Sequence, residues 1–263
     1  MITCMLQGGL GNLLFQIAAT NALAWRNNTK AVYNPDKHHL PSWPASGRFV
    51  SSYTDNIFRS VEFSNDLKMK SLYREPHFRY AEIPYSDGLV LHGYFQSEKY
   101  FLDCTDKIRK LFSVDDKTRT YILNKYGDFL NENPTSIHIR RGDYLDPRWL
   151  NKIVPICTKE YYAQAMSKFP KDTKYMVFSD DPEWCQKVFK SERFKVVVGE
   201  EDHIDMYIMS MCKNHIIANS TFSWWGAWLN ENQDKIVISP KEWFAYQGPQ
   251  DTQDQVPENW LIL

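Results

Sequence analysis

The chain lacks any C-x-x-C pair: its five cysteines, Cys4, Cys104, Cys157, Cys185 and Cys212, are scattered and odd in number. That argues against a disulfide framework or a zinc knot and makes a reducing compartment the simplest expectation. No apolar run approaches the roughly eighteen residues of a membrane span. The apolar start, Met1 to Leu6, is short and without the basic flank of a signal peptide. A soluble, cytoplasmic, unprocessed chain with no transmembrane segment is therefore expected. Charge of one sign is missing too: Lys and Arg number 31 against 32 Asp and Glu, with a net charge of -1 and a pI near 6.7. Nothing in that balance draws nucleic acid or an anionic membrane, so no nucleic-acid partner is expected and any anion site must be local. Two N-x-T patterns, at Asn27 and Asn219, and the adhesion-like tripeptide Arg141-Gly142-Asp143 count as chance matches in a chain without a secretion signal.

What is present begins with aromatics, nine of them Trp. Such rings serve cores and sugar-binding clefts alike. The length, 263 residues, fits two compact lobes. The first opens as strand, glycine turn and helix: Ile2–Leu6 leads into Gln7-Gly8-Gly9-Leu10-Gly11-Asn12, and Phe15, Ala18, Ala19 and Ala22 follow at helical spacing. A glycine turn there lets backbone N–H groups and the helix dipole face a ligand. It is not the G-x-G-x-x-G fingerprint, and a plain tight turn explains it equally well. Ala31–Asn34 reads as a strand, Lys37–Glu82 shows no clear periodicity, and Leu89–Phe95 reads as a strand leading to a helix whose apolar stripe runs from Phe101 to Phe112. A polar helix from Asp115 to about Leu130 precedes Asn131-Glu132-Asn133-Pro134, a turn-rich candidate linker. The expected domains are 1–132 and 133–263, with the tail 257–263 a candidate to pack back on the first lobe.

From Thr135 strands and helices strictly alternate, which specifies a parallel sheet with ligands at the carboxyl ends of its strands. Three polar clusters fall at such ends and should share one rim: His138 to Asp143, Ser179-Asp180-Asp181-Pro182, and Asn219-Ser220-Thr221-Phe222-Ser223. Arg140 and Arg141 offer planar, always-charged forks for phosphate, and Gly142 permits close approach. Asp180 or Asp181 before Pro182 also reads as an N-cap, as do Ser220 and Thr221. Together the clusters suit a nucleoside diphosphate, with a carboxylate receiving donors from the base. A divalent metal on Asp180 and Asp181 ranks second, since the arginines already compensate charge.

The segments Gln7–Asn12 with Phe15-Gln16, His92-Gly93-Tyr94-Phe95-Gln96, His138-Ile139-Arg140-Arg141-Gly142-Asp143-Tyr144, Phe178-Ser179-Asp180-Asp181 and Asn219–Gly226 resemble the α-1,2-fucosyltransferases of glycosyltransferase family 11. The match runs in order along nearly the full chain, with Leu13 where the family usually has Gln and no recognisable match across Lys37–Glu82. The resemblance implies an α/β fold of GT-B type, two facing Rossmann-like lobes, the first on the acceptor side and the second holding the GDP-sugar. It implies an inverting, metal-independent transfer of L-fucose from GDP-β-L-fucose to the 2-hydroxyl of a galactoside-terminated glycan, with no cofactor. It places Arg140 and Arg141 on the diphosphate, with Asp143 beside them as a catalytic candidate. His138 and Asp180 fall near guanine. Ser220, Thr221 and Ser223, with Gly9 and Asn12 of the glycine turn, complete the donor-binding set; no metal ligand is implied. The base for the acceptor hydroxyl stays open between Asp143 and Asp146. The alternatives are a transferase of another nucleotide sugar on the same scaffold and a non-catalytic carbohydrate-binding protein.

Overall fold

The alternation expected beyond residue 134 is realised as a six-stranded, wholly parallel sheet ordered β6-β5-β4-β7-β8-β9. Its strands are β4 (Thr135–Ile139), β5 (Tyr175–Ser179), β6 (Phe194–Val196), β7 (Asn214–Ile216), β8 (Val237–Ser239) and β9 (Leu261–Ile262). This computed structural model describes residues 1–36 and 49–263. Every residue of β4 is buried, as a strand covered on both faces requires, and Ile137 and Ile139 pack with Tyr175, Val177, Ile216 and Ile238 in the core. Each such side chain contributes about 1.5–3 kcal/mol on burial.

Helices α4 (Lys159–Met166), α5 (Pro182–Val188), α6 (Asp202–Met211) and α7 (Thr221–Trp228) connect these strands. Three of the four start at side-chain caps: Thr158 of α4 accepts from Tyr161 N, Asp181 of α5 from Trp184 N, and Ser220 of α7 from Phe222 N. Met206 and Met209 of α6 are core residues. Gly226 lets α7 approach α6, because a Cβ there would stand 2.8 Å from Met209 Cβ. Trp224, Trp225 and Trp228 of α7 cluster with Trp260, so much of the tryptophan content is core.

The first unit is a three-stranded parallel sheet, β1-β3-β2, made of β1 (Thr3–Cys4), β2 (Ser71–Arg74) and β3 (Leu89–His92), with α1 (Leu10–Arg26) and α2 (Thr105–Leu111). Strand β2 lies in the stretch that showed no periodicity; its first residues are exposed, so no alternating apolar face marked it. The strand expected at Ala31–Asn34 reduces to isolated bridges, Ile2 with Ala31 and Tyr33 with Phe63. Part of the unassigned stretch, 37–48, lies outside the described residues.

The division between units differs from the expected 132/133 boundary. One unit comprises Met1–Val114 with Asp251–Pro257, the other Asp115–Gln250 with Glu258–Leu263. Helix α3 (Asp116–Leu130) goes with the second unit: Lys125 and Tyr126 on it bond the nearly buried Glu200 carboxylate. The Asn131–Pro134 turn is an internal loop. The tail is also corrected. Residues 258–263 supply β9 to the second sheet, whereas 251–257 belong to the first unit, where Asp251 accepts from Phe78 N and Asp254 pairs with Lys99. A strand of two exposed residues carries no pattern of its own. No helix among the described residues is long and apolar enough to cross a membrane.

Candidate active site

The strand order makes β5, β4 and β7 immediate neighbours, so the three polar clusters do meet on one rim of the second unit. At its centre stand Arg140 and Arg141. The Arg140 guanidinium bonds Asp143 Oδ1 at 2.6 Å and Asp180 Oδ2 at 2.9 Å. It lies 5.3 Å from the centre of the Tyr144 ring, whose hydroxyl donates to Asn219 O. Burial opposes the charge of Arg140, but Asp180 and then Asp143 outweigh it, so this guanidinium stays charged.

Arg141 is held differently. Its backbone N–H donates to Asp180 Oδ1 at 2.9 Å, its Nε to Asp181 Oδ2 at 3.0 Å, and its guanidinium lies 4.1 Å from the Trp184 ring centre. The Arg141 hydrogen bond pulls Asp181 below the usual carboxylate range. Adjacent aspartates thus divide the work. Asp181 caps α5 and aligns Arg141, while Asp180 joins the two arginines across Gly142, where a Cβ would stand 2.5 Å from Asp180 Oδ2. Every carboxylate of the rim is engaged by a guanidinium, leaving the remaining N–H groups of both arginines for an anion.

His138 and Ser223 are buried and bond each other, Nδ1 to Oγ at 2.9 Å. Because Ser223 Oγ already donates to Ser220 O, the imidazole is assigned as the donor at Nδ1. Burial holds His138 well below the usual histidine range, and it is neutral. These two side chains tie α7 to β4, and with them the N-terminus of α7, where Ser220 caps and Thr221 begins the helix half-exposed. Asn219 fixes the approach to that helix by donating to Pro155 O and Trp243 O. The rim therefore offers two charged forks and one helix N-terminus, a set that binds phosphate oxygens.

Gly9 and Asn12 belong to the first unit. Gly9 precedes α1 with open space around it, and Asn12 Oδ1 accepts from Gln96 Nε2 at 2.9 Å. Gly8 sits at φ +84°, a conformation that favours glycine. Asp146, a candidate base, is locked to Arg148 and pulled down to about 2. Tyr144 and Asn219 stood in the quoted motifs without an assigned role, and Trp184 escaped sequence reasoning. Its signal was its place within four residues of Asp180 and Asp181. Among the described residues no group of three or more His, Cys, Asp or Glu is placed to hold a metal ion.

The chain is 32% identical to the O-antigen biosynthesis glycosyltransferase WbnK of Escherichia coli, over 93% of this chain and 95% of that protein. It is 31% identical to an E. coli alpha-1,2-colitosyltransferase, over 100% and 99%, and 26% identical to a galactoside 2-alpha-L-fucosyltransferase of Caenorhabditis elegans, over 97% and 74%. Among solved structures the fucosyltransferase NodZ from Bradyrhizobium shares the fold with a TM-score of 0.54, at 14% identity over 86% of this chain and 91% of that one. Its α1,6-fucosyltransferase form co-crystallized with GDP gives 0.51, at 16% identity over 86% and 91%. The architecture is of GT-B type, with two units of parallel strands and flanking helices. The model of Glycosyl transferase family 11 matches residues 1–263, and with it the chain is a glycosyltransferase and belongs to that family.

Proposed function

We propose that the protein transfers L-fucose from GDP-β-L-fucose to the 2-hydroxyl of a galactoside, with inversion and without a metal. The observation that carries this reading is the pair of arginines, braced by three aspartates, beside the capped start of α7. Two relatives whose names specify α-1,2 or 2-α linkage, one of which also names a galactoside, support the linkage and acceptor.

In the reaction the acceptor oxygen attacks the anomeric carbon opposite the diphosphate, and negative charge grows on the departing phosphate. Arg140 and Arg141 would meet that charge with forks already fixed by their aspartates, so little reorganisation accompanies the step. The N–H groups at the head of α7 would take the remaining phosphate oxygens. Asp180 would stand closest to the guanine edge while holding Arg140. Gly9 and Asn12 of the glycine turn would belong to the donor-binding set. A metal is not called for, because Asp143, Asp180 and Asp181 already carry guanidinium partners.

A second donor has a specific observation behind it: the relative matching over the full chain is a colitosyltransferase, and colitose is fucose without its 3-hydroxyl. Purified protein is to be incubated with GDP-fucose, GDP-colitose or a UDP-sugar and a panel of galactosides, with and without EDTA, reading product linkage. The reading expects fucosyl α-1,2 product in both arms. Product only from GDP-colitose would replace the donor; calorimetry with no heat on GDP addition would favour a lectin.

A further inference from the structure

Asp143 and Asp146 each hold an arginine, Arg140 and Arg148. The first unit holds a carboxylate of another kind. Glu75 follows β2 directly, at the carboxyl end of the parallel sheet, where α/β folds receive ligands. Its N–H extends the ladder to His92 O at 2.9 Å. The side chain reaches across to the turn after β3: Oε2 accepts from Tyr94 N at 2.7 Å and Oε1 from Phe95 N at 3.0 Å. Two further features of that turn serve the same carboxylate. Gly93 has no Cβ, and one would stand 2.4 Å from Glu75 Cβ and 2.6 Å from Oε2. Phe95 is held at φ +53°, unusual for an aromatic residue, with its ring buried. Gln7, at the head of the glycine turn, reaches Gly93 O.

Each Glu75 oxygen therefore keeps one lone pair, and the side chain is only partly enclosed. The titratable groups facing it are Cys4, Tyr73, Tyr94, Tyr100 and Asp251, all neutral or anionic. The neighbouring Arg74 guanidinium turns instead to His92 Nδ1 at 2.8 Å. Burial first, and Asp251 in the same direction, push the Glu75 carboxyl up to about 7 against the pull of the two backbone donors. A base of that strength suits a proton transfer at neutral pH.

From this constellation, and resting on transfer to a sugar hydroxyl as the reaction, we infer that Glu75 is the general base. The acceptor O–H proton passes to a Glu75 oxygen. The acceptor oxygen's electron pair forms the bond to the anomeric carbon, and the bond from that carbon to the phosphate oxygen breaks, its pair leaving with GDP. Glu75 then gives the proton to water.

The test is the pH profile of kcat and kcat/KM at saturating GDP-fucose for wild type, Glu75→Gln and Glu75→Asp, with GDP affinity and melting temperature measured alongside. Wild type should lose about tenfold in kcat/KM per pH unit below 7, and Glu75→Gln should lower kcat by about 10²–10⁴ and abolish that acid limb. Its GDP affinity should be unchanged, and formate should restore part of the activity of Glu75→Ala. A folded Glu75→Gln enzyme with wild-type kcat, or one that keeps the acid limb, overturns the assignment. If Glu75→Gln does not fold, Glu75→Asp decides: a displaced acid limb supports the base, an unmoved one refutes it. Absence of transfer by wild type from any donor would instead sink the functional reading, and this inference with it.

Discussion

Gly142→Ala is the most informative single change on the second rim, because it adds one methyl group and removes nothing. Its Cβ would lie 2.5 Å from Asp180 Oδ2 and 3.0 Å from Cγ, so the carboxylate must withdraw by about 1 Å to restore ordinary van der Waals contact. That carboxylate is not a loose end, since its two oxygens hold Arg140 at 2.9 Å and Arg141 N at 2.9 Å. Hydrogen bonds to charged groups contribute about 1.5–3 kcal/mol. With both partners of the Arg140 pair about a fifth exposed, screening reduces the loss to about 1–2 kcal/mol. A fall in Tm of a few degrees follows. On the proposed function the effect on rate is larger, because Asp180 carries Arg140 with it, and a displacement of about 1 Å in a group that meets transition-state charge costs on the order of 10²-fold. The assay is kcat at saturating GDP-fucose, with Tm from thermal unfolding. A second arm separates collision from a general disturbance: in an Asp180→Ala background the methyl has nothing to strike, so Gly142→Ala should add almost no further loss. A folded Gly142→Ala enzyme with kcat within about threefold of wild type would refute the reasoning, as would full additivity with Asp180→Ala.

Arg141→Ala should lower kcat by about 10²–10³ with a fall in Tm of only a few degrees, since it gives up its pair with Asp181 and its contact with the Trp184 ring; steady-state turnover at near-wild-type level in the folded variant would contradict its role. Activity should survive dialysis against EDTA, measured as GDP release, and a loss reversed by added Mg²⁺ or Mn²⁺ would return Asp180 and Asp181 to metal duty. Stability should fall between pH 7 and pH 5. His138 and His215 are buried and held below their ordinary range, His215 at about 3. Their unfolded forms take protons below about 6.5 while the folded forms do not, at about 1.4 kcal/mol per pH unit each. Glu75 acts in the opposite sense, because its folded carboxyl, at about 7, takes the proton before the unfolded one does. Urea unfolding at the two pH values should therefore show a steeper acid loss in Glu75→Gln than in wild type, and an equal or shallower one would contradict these assignments.

The second unit was legible because its signals are redundant. From β4 onward every helix lies between two strands, and α4, α5 and α7 begin at a side-chain cap, so Asp181 before Pro182 or Ser220 before Thr221 only confirms what periodicity already states. Its site was legible for a related reason: a parallel sheet sends strand ends to one edge, so polar clusters far apart in the chain must converge. What was hidden was the division of labour. Both Asp180 and Asp181 read equally as cap or ligand, and only the approach of Asp180 to Gly142 separates them.

The first unit fails the same reading for physical reasons. Strand β2 has four residues, three exposed, and owes its place to pairing with β3. Glu75, at its end, looks in the sequence like any charged residue before a proline. Its placement arises from two N–H groups nearly twenty residues away, Tyr94 and Phe95, and from the missing Cβ of Gly93, while burial sets its raised protonation range. The motif His92-Gly93-Tyr94-Phe95-Gln96 was visible as a unit, but not what it surrounds. In the fold that motif becomes the cradle of a carboxylate. A test of the cradle follows: Gly93→Ala should disturb Glu75 as Gly142→Ala disturbs Asp180, lowering kcat and moving the acid limb of the pH profile while GDP affinity holds. A Gly93→Ala enzyme with an unmoved acid limb and normal kcat would show that the cradle does not set the chemistry of Glu75.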